Sequence, residues 1–286
     1  MATLKVIRKR IGSIRNTQQI TKAMKMVSAA KLRRAQEAAV QARPYAEKMT
    51  ELLKNLSARV SREAHPLLTV REERKIYLLL FTSDRGLCGG YNANLIRAAE
   101  AFMRREGAGK EINLVLVGRK GADHFRRRRA SIADRRVNIL ATPAEELAAE
   151  IAEKVIESFI KGETDAVYLL YSRFRSALSQ VPTLEKLLPV PLAENSNADQ
   201  ATEYLYEPGA EALLASLLPA VAQVAIFRAL LEATASEHGA RMTAMDSATS
   251  NASKMMGVLT LQMNRARQAS ITRELMEIVG TAEALK

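Results

Sequence analysis

The residues best suited to chemistry lie in TSDRGLCGGYNANL (82–95), where three glycines, one acid, one arginine and the only cysteine crowd together. The stretch follows an apolar run and precedes a helical one, which is where a phosphate-binding loop would sit. It contains neither G-x-x-x-x-G-K-[ST] nor G-x-G-x-x-G, so the signal for a nucleotide is weak. Gly86, Gly89 and Gly90 are better explained as shaping a tight turn. Cys88 has no histidine or acid motif beside it and reads as a structural thiol. GRKG (118–121) is a second turn of the same kind. The run Arg126–Arg129 could touch phosphate, but without interleaved aromatics a solvated helix end explains it equally well. His65, His124 and His238 are scattered and, with one cysteine, give no metal-ligand spacing. No carboxylate pair and no Ser-His-Asp order stands out. The sequence therefore predicts no catalytic residue, no cofactor and no metal.

The elements around these turns divide into three parts. Apolar runs at Ile76–Thr82, Ile112–Val117 and Ala166–Tyr171 read as strands buried on both faces. Ala93–Arg105 and Ala144–Ile160 read as helices between them, with another at Gly121–Arg129. That alternation predicts a small, mainly parallel α/β sheet within residues 61–209. Residues 189–210 form a return loop rich in Pro and Asn, with an apolar patch at Tyr204, Leu205 and Tyr206 beside Glu207. No unbroken run of about 18 apolar residues occurs, so no membrane span is expected. The first ten residues lack the apolar core of a signal peptide. A lone cysteine fits a reducing compartment.

The two ends are long helical stretches, 1–60 and 210–286. In the first, a heptad seam runs Ile7, Ile11, Ile14, Gln18, Thr21, Lys25, Ser28, Leu32, Ala35, Ala39, Ala42, with a second stripe at Ile20, Met24 and Val27. Thr3 could cap its start and Pro44 could kink it. In the second, the seam runs Met242, Met245, Thr249, Ala252, Met256, Leu259, Met263, Ala266, Ser270, and Pro219 predicts a kink or break near its base. Such helices can pair only antiparallel, with the middle of the chain inserted at one end of the rod. Being unequal, they would leave the last 19 or so residues alone, roughly 30 Å of helix bearing Ile271, Leu275, Met276, Ile278, Val279 and Leu285. Exposed apolar residues there call for a surrounding partner.

Charge singles out the first helix. Residues 1–60 hold 14 Lys and Arg against 3 Asp and Glu, nearly all of the chain's +12. A basic helix suits nucleic acid, an anionic membrane or an acidic protein. Two readings therefore compete with a protein-interaction shaft: a nucleic-acid-binding coiled coil, and a small enzyme for a phosphorylated ligand.

Five segments carry a resemblance to one family. IRKRIGSIRNTQQITKAMKMVSAAKLRRAQ (7–36), TSDRGLCGGYNANL (82–95), YLYEP (204–208), MTAMDSATSNASKMM (242–256) and NRARQASITRELMEIVGTAEAL (264–285) resemble the gamma subunit, the central shaft, of rotary proton-driven ATP synthase of bacterial type. Ile271, Thr272, Glu274, Glu277 and Ala282 match its C-terminal signature, and Thr281 stands where the family usually has Gly. The resemblance implies an antiparallel coiled coil with an inserted Rossmann-like α/β domain. It implies a non-catalytic rotor part, one copy per complex, that couples rotation of the membrane c-ring to ATP synthesis or hydrolysis on beta subunits. The implied partners are the alpha and beta hexamer, the epsilon subunit and the c-ring. The implied place is the cytoplasmic face of the bacterial plasma membrane, reached only through the complex. Carried over by motif, the hexamer contacts are Lys22, Met24, Lys25, Lys31, Arg33, Arg34, Arg267, Gln268, Ile271, Glu274, Leu275 and Ile278. The contacts to c-ring and epsilon are Tyr204, Tyr206 and Glu207.

Overall fold

A computed structural model describes residues 4–57, 65–139, 142–191 and 209–284. Thr3 and the return loop with Tyr204, Tyr206 and Glu207 lie outside the described residues. The chain divides into two compact units, residues 1–28 with 242–286, and residues 29–241.

The larger unit is built on a five-stranded sheet. In chain order the strands are β1 (Lys75–Phe81), β2 (Glu111–Val117), β3 (Ile132–Arg136), β4 (Ala166–Phe174) and β5 (Gln180–Leu188). Their spatial order is β3-β2-β1-β4-β5. The first four run parallel, and β5 returns antiparallel beside β4. The three inner strands, β2, β1 and β4, read as largely apolar runs because both faces are covered. On one face Ile76, Leu78 and Leu80 of β1 meet α2 (Tyr91–Glu106) and α3 (Arg119–Arg127). On the other, Leu79 and Phe81 meet α4 (Ala144–Ile160) and the early turns of the C-terminal helix α5 (Ala210–Ala284).

The structure adds two strands that the pattern does not announce. β3 reads IADRR, a charged edge strand with only partial burial. β5 contains Pro182 and sits at the opposite edge, where a missing N–H is tolerated. Both prolines inside the long helices are also accommodated: α1 (Leu4–Ser57) continues through Pro44 and α5 through Pro219. Of the kink or break expected at Pro219, the break does not occur. Pro219 lies on the exposed side of α5, while Leu214, Leu218, Ala222 and Ile226 are fully buried and keep the helix seated on the sheet.

By length and composition, α5 between Ala212 and Thr281 is apolar enough to cross a membrane, contrary to the expectation from unbroken runs. Its first turns are apolar because they form the second cover of the sheet. A core helix passes the same test.

The smaller unit is an antiparallel pair of helices. Thr21 Oγ1 lies 2.8 Å from Thr249 Oγ1, and Lys25 Nζ lies 2.5 Å from Asp246 Oδ1, so the numbering rises on one helix as it falls on the other. Burial follows the seams: Ile7, Thr21 and Ser28 are buried on α1, as are Met245 and Ala252 on α5. Lys25, which interrupts an apolar seam, is answered by Asp246 across it. Ile20 and Val27 of the second stripe remain exposed.

Backbone freedom is demanded at Gly118, the residue before α3. Its φ is 98°, and a Cβ there would stand 2.0 Å from the Thr82 carbonyl oxygen. A Cβ on Gly257 of α5 would meet nothing within 4 Å. Gly118→Ala is expected to cost about 3–5 kcal/mol, and Gly257→Ala to add about 0.5–1 kcal/mol. Urea unfolding midpoints at constant slope check both, and equal effects at the two positions would refute the argument.

Candidate functional site

The turn after β1 is occupied by its own chain. Asp84 closes it, accepting hydrogen bonds from the backbone N–H groups of Arg119 (3.0 Å), Asn138 (3.0 Å) and Ile139 (2.9 Å). Converging amides are what an anion needs, and here a carboxylate of the protein already fills the position. Asn92 at the start of α2 holds the other side. Its Oδ1 accepts from the Ser83 N–H at 3.0 Å, and its Nδ2 donates to Ser83 Oγ at 2.7 Å. Cys88 is buried, and desolvation pushes its thiol above the usual range, so it is a poor nucleophile. The second turn works similarly: Thr82 Oγ1 accepts from the Gly121 N–H at 2.9 Å. The glycines of both turns therefore shape backbone. Of the arginine run, Arg126 pairs with Asp123 at 3.4 Å and Arg128 with Glu100 at 2.5 Å, as a solvated helix end would.

One polar cluster escaped the sequence reading. Between Ala235 and Arg241, α5 is buried on every side. Within it Glu237 and Arg241 pair at 2.7 Å, with side chains 5% and 9% exposed. Arg241 also donates to the carbonyl oxygens of Arg85 and Gly86, both at 3.3 Å, tying the helix to the first turn. Ser236 Oγ donates to the Ser172 carbonyl at 2.7 Å, and Tyr91 OH to the Ala233 carbonyl at 3.2 Å. The available signal was the i, i+4 spacing of Glu237 and Arg241.

His238 lies in the same cluster. Burial, with the Arg241 and Lys31 cations nearby, lowers its pKa to about 4. Its Nδ1 stands 3.4 Å from Arg241 Nη1 and can accept from it only while neutral.

The sequence-derived contact residues fall in several settings. Lys22 is exposed, while Met24 and Lys25 are half-buried in the helix pair, Lys25 on Asp246. Lys31, Arg33 and Arg34 are exposed on the part of α1 belonging to the larger unit, with Arg33 3.0 Å from Glu37. Arg267 and Gln268 are exposed near the end of the seam, whose last half-buried residue is Ser270. Beyond it every residue from Ile271 to Thr281 is exposed, including Ile271, Glu274, Leu275 and Ile278. The register of the pair places Leu4 opposite about residue 266, so α5 outruns its partner.

Turns closed on themselves, a covered α/β sheet and a helix pair with a bare apolar end are the parts of an assembly subunit. The chain belongs to the ATP synthase gamma-chain family and is a central-stalk component of the rotary enzyme, outside its catalytic sites. A family model described as ATP synthase matches residues 3–285. The ATP synthase gamma chains of Geobacter metallireducens and of Geobacter sp. strain M21 are 53% and 52% identical to it, each over the full length of both chains. Among solved structures, a chain of the central stalk and c-ring of Tetrahymena thermophila mitochondrial ATP synthase is 28% identical. It covers 80% of this chain and 99% of its own, with a TM-score of 0.61. A chain from the Euglena gracilis mitochondrial enzyme shares the fold at a TM-score of 0.70 and 21% identity, covering 99% and 94%.

His238 yields a pH prediction. Its folded pKa lies below the ordinary 6.5, so its contribution is complete above pH 6.5 and is lost as pH falls toward 4. From pH 7.5 to pH 5 the loss is about 2 kcal/mol. Urea unfolding should show His238→Gln with a pH slope shallower by that amount, and parallel slopes would sink the assignment.

Proposed function

We propose that residues 1–60 and 210–286 form the shaft and 61–209 the globular foot of a rotor. The shaft turns inside a hexamer of alpha and beta subunits that hold the nucleotide sites. The foot rests on the c-ring beside epsilon, one copy per complex, peripheral at the cytoplasmic face of the bacterial plasma membrane and held there through the complex alone.

The observation that carries this reading is the end of α5. Ile271, Leu275, Met276, Ile278 and Val279 are between 45% and 68% exposed on a helix with no partner along 271–281 among the described residues. A sleeve of protein around that tip removes apolar surface from water. Ile271, Glu274, Leu275 and Ile278 are the proposed contacts there, with Arg267 and Gln268 at the mouth. On α1, Lys22, Lys31, Arg33 and Arg34 offer cations to acidic segments of beta. Lys25 is already engaged by Asp246, and Met24 contributes packing. For Tyr204, Tyr206 and Glu207 the proposal rests on the YLYEP motif.

Coupling needs contacts that differ between beta conformations, because equal contacts shift no population. A bundle of weak charge contacts suits this, each exposed pair being worth about 0–1 kcal/mol.

The test is reconstitution with purified alpha and beta subunits, with and without residues 271–286. The full chain should assemble as one copy and support ATPase-driven rotation. In hydrogen exchange the tip should be unprotected in the isolated chain and protected in the complex. Protection of the tip in the isolated chain would remove the need for a sleeve. Single replacements such as Arg34→Ala should cost little torque, whereas Lys22, Lys31 and Arg34 replaced together should cost at least the sum of the three. Loss of rotation from Arg34→Ala alone would contradict the distributed contact.

A further inference from the structure

The arginine run at the end of α3 leads directly to a serine: residues 126–132 read RRRRASI. Arg129 and Arg128 stand two and three residues before Ser131, and no other Ser or Thr of the chain has arginine at both positions. The four arginines and Ser131 are all exposed. Arg126 and Arg128 pair with Asp123 and Glu100, whereas Arg127 and Arg129 form no ion pair among the described residues.

The backbone brings this serine to an edge of the sheet. Arg129, at a φ of 54°, ends the helix, and the Ala130 N–H donates to the Phe125 carbonyl at 3.2 Å. Ser131 then leads into β3, the border strand, which pairs with β2 alone. The Ser131 carbonyl accepts from the Leu114 N–H at 2.9 Å, and its hydroxyl donates to Asn113 Oδ1 at the surface. Immediately beyond, the ladder is interrupted by a shift of register between Leu114 and Val115. Interrupted pairing at an edge, with little apolar burial beneath it, opens at low cost. A segment that lifts from an edge can lie extended in the cleft of another protein.

A cleft lined with carboxylates suits this segment, because each guanidinium offers a carboxylate two parallel hydrogen bonds. Charge patterns of this kind are how kinases select substrates.

We propose that Ser131 is a phosphorylation site, modified by a serine kinase whose acidic substrate cleft reads Arg128 and Arg129. ATP is the phosphoryl donor. Ser131 Oγ forms a bond to the γ-phosphorus as the bond from that phosphorus to the β–γ bridging oxygen breaks. ADP leaves, and the hydroxyl proton passes to the catalytic carboxylate of the kinase. The product carries a charge of about −1.5 to −2 next to the arginine run, so that Arg128 gains an anion that competes with Glu100. The site does not depend on the rotor reading.

The probe is the catalytic subunit of cAMP-dependent protein kinase, a kinase with an acidic cleft, given radiolabelled ATP, magnesium and the folded full-length chain. The native chain should take up one phosphate, placed on Ser131 by tandem mass spectrometry of the tryptic peptide 130–135, in which Ser131 is the only hydroxyl residue. Ser131→Ala should abolish the label. Replacing Arg128 and Arg129 together by Ala, both exposed, should lower kcat/KM for phosphorylation by at least about 10-fold, as loss of charge-assisted bonds requires. Circular dichroism checks that the variants fold, and the peptide mapping locates the phosphate even if a variant does not. No label on the native chain, a label confined to chain first unfolded in urea, a label on residues other than Ser131, or a rate indifferent to the two arginines would each overturn the proposal.

Discussion

A parallel sheet must be dry on both faces, and this requirement organises the larger unit. α2 and α3 cover one face of β1 and β2. On the other, α4 is joined by the first turns of α5, whose Leu218, Ala222 and Ile226 are as inaccessible as the strands beneath them. The C-terminal helix is therefore a structural layer of the sheet as well as a partner for α1. A helix anchored by its own base in a close-packed core does not swivel there freely, because such interiors have low compressibility and transmit strain.

The buried stretch 235–241 continues that anchoring with directional bonds. Arg241 holds Glu237 in the helix and the carbonyl oxygens of Arg85 and Gly86 in the first turn. Asp84 in the same turn holds the amides of Arg119, Asn138 and Ile139. A chain of charge-assisted bonds thus runs from α5 through the turn after β1 to the start of α3. Removing one partner from a buried charge pair leaves the other uncompensated, so the cluster behaves as a unit.

The legible parts of the sequence were those governed by a period. Heptad spacing located both seams residue by residue down to Ser270. Apolar runs located β1, β2 and β4, and α4 matched at both ends. β3 and β5 were hidden because edge strands need bury little: IADRR reads as polar loop, and Pro182 argues against a strand. Pro219 does not break α5, because tertiary burial of the neighbouring turns outweighs the lost hydrogen bond. The i, i+4 spacing of Glu237 and Arg241 was legible, but their burial with His238 was not, because burial of charges is a property of the surroundings. The glycine turns at 82–95 and 118–121 are shape rather than phosphate sites, and Asp84 supplies the reason.

The seclusion of Cys88, only 2% exposed behind Ser83 and Asn92, has a practical side. A thiol so enclosed is shielded from thiol reagents. A reporter cysteine placed at Leu178, 83% exposed on the turn between β4 and β5, can carry a fluorophore or a bead with the wild-type thiol left in place. An optical handle thus needs one substitution, and the turn that shelters Cys88 keeps its packing.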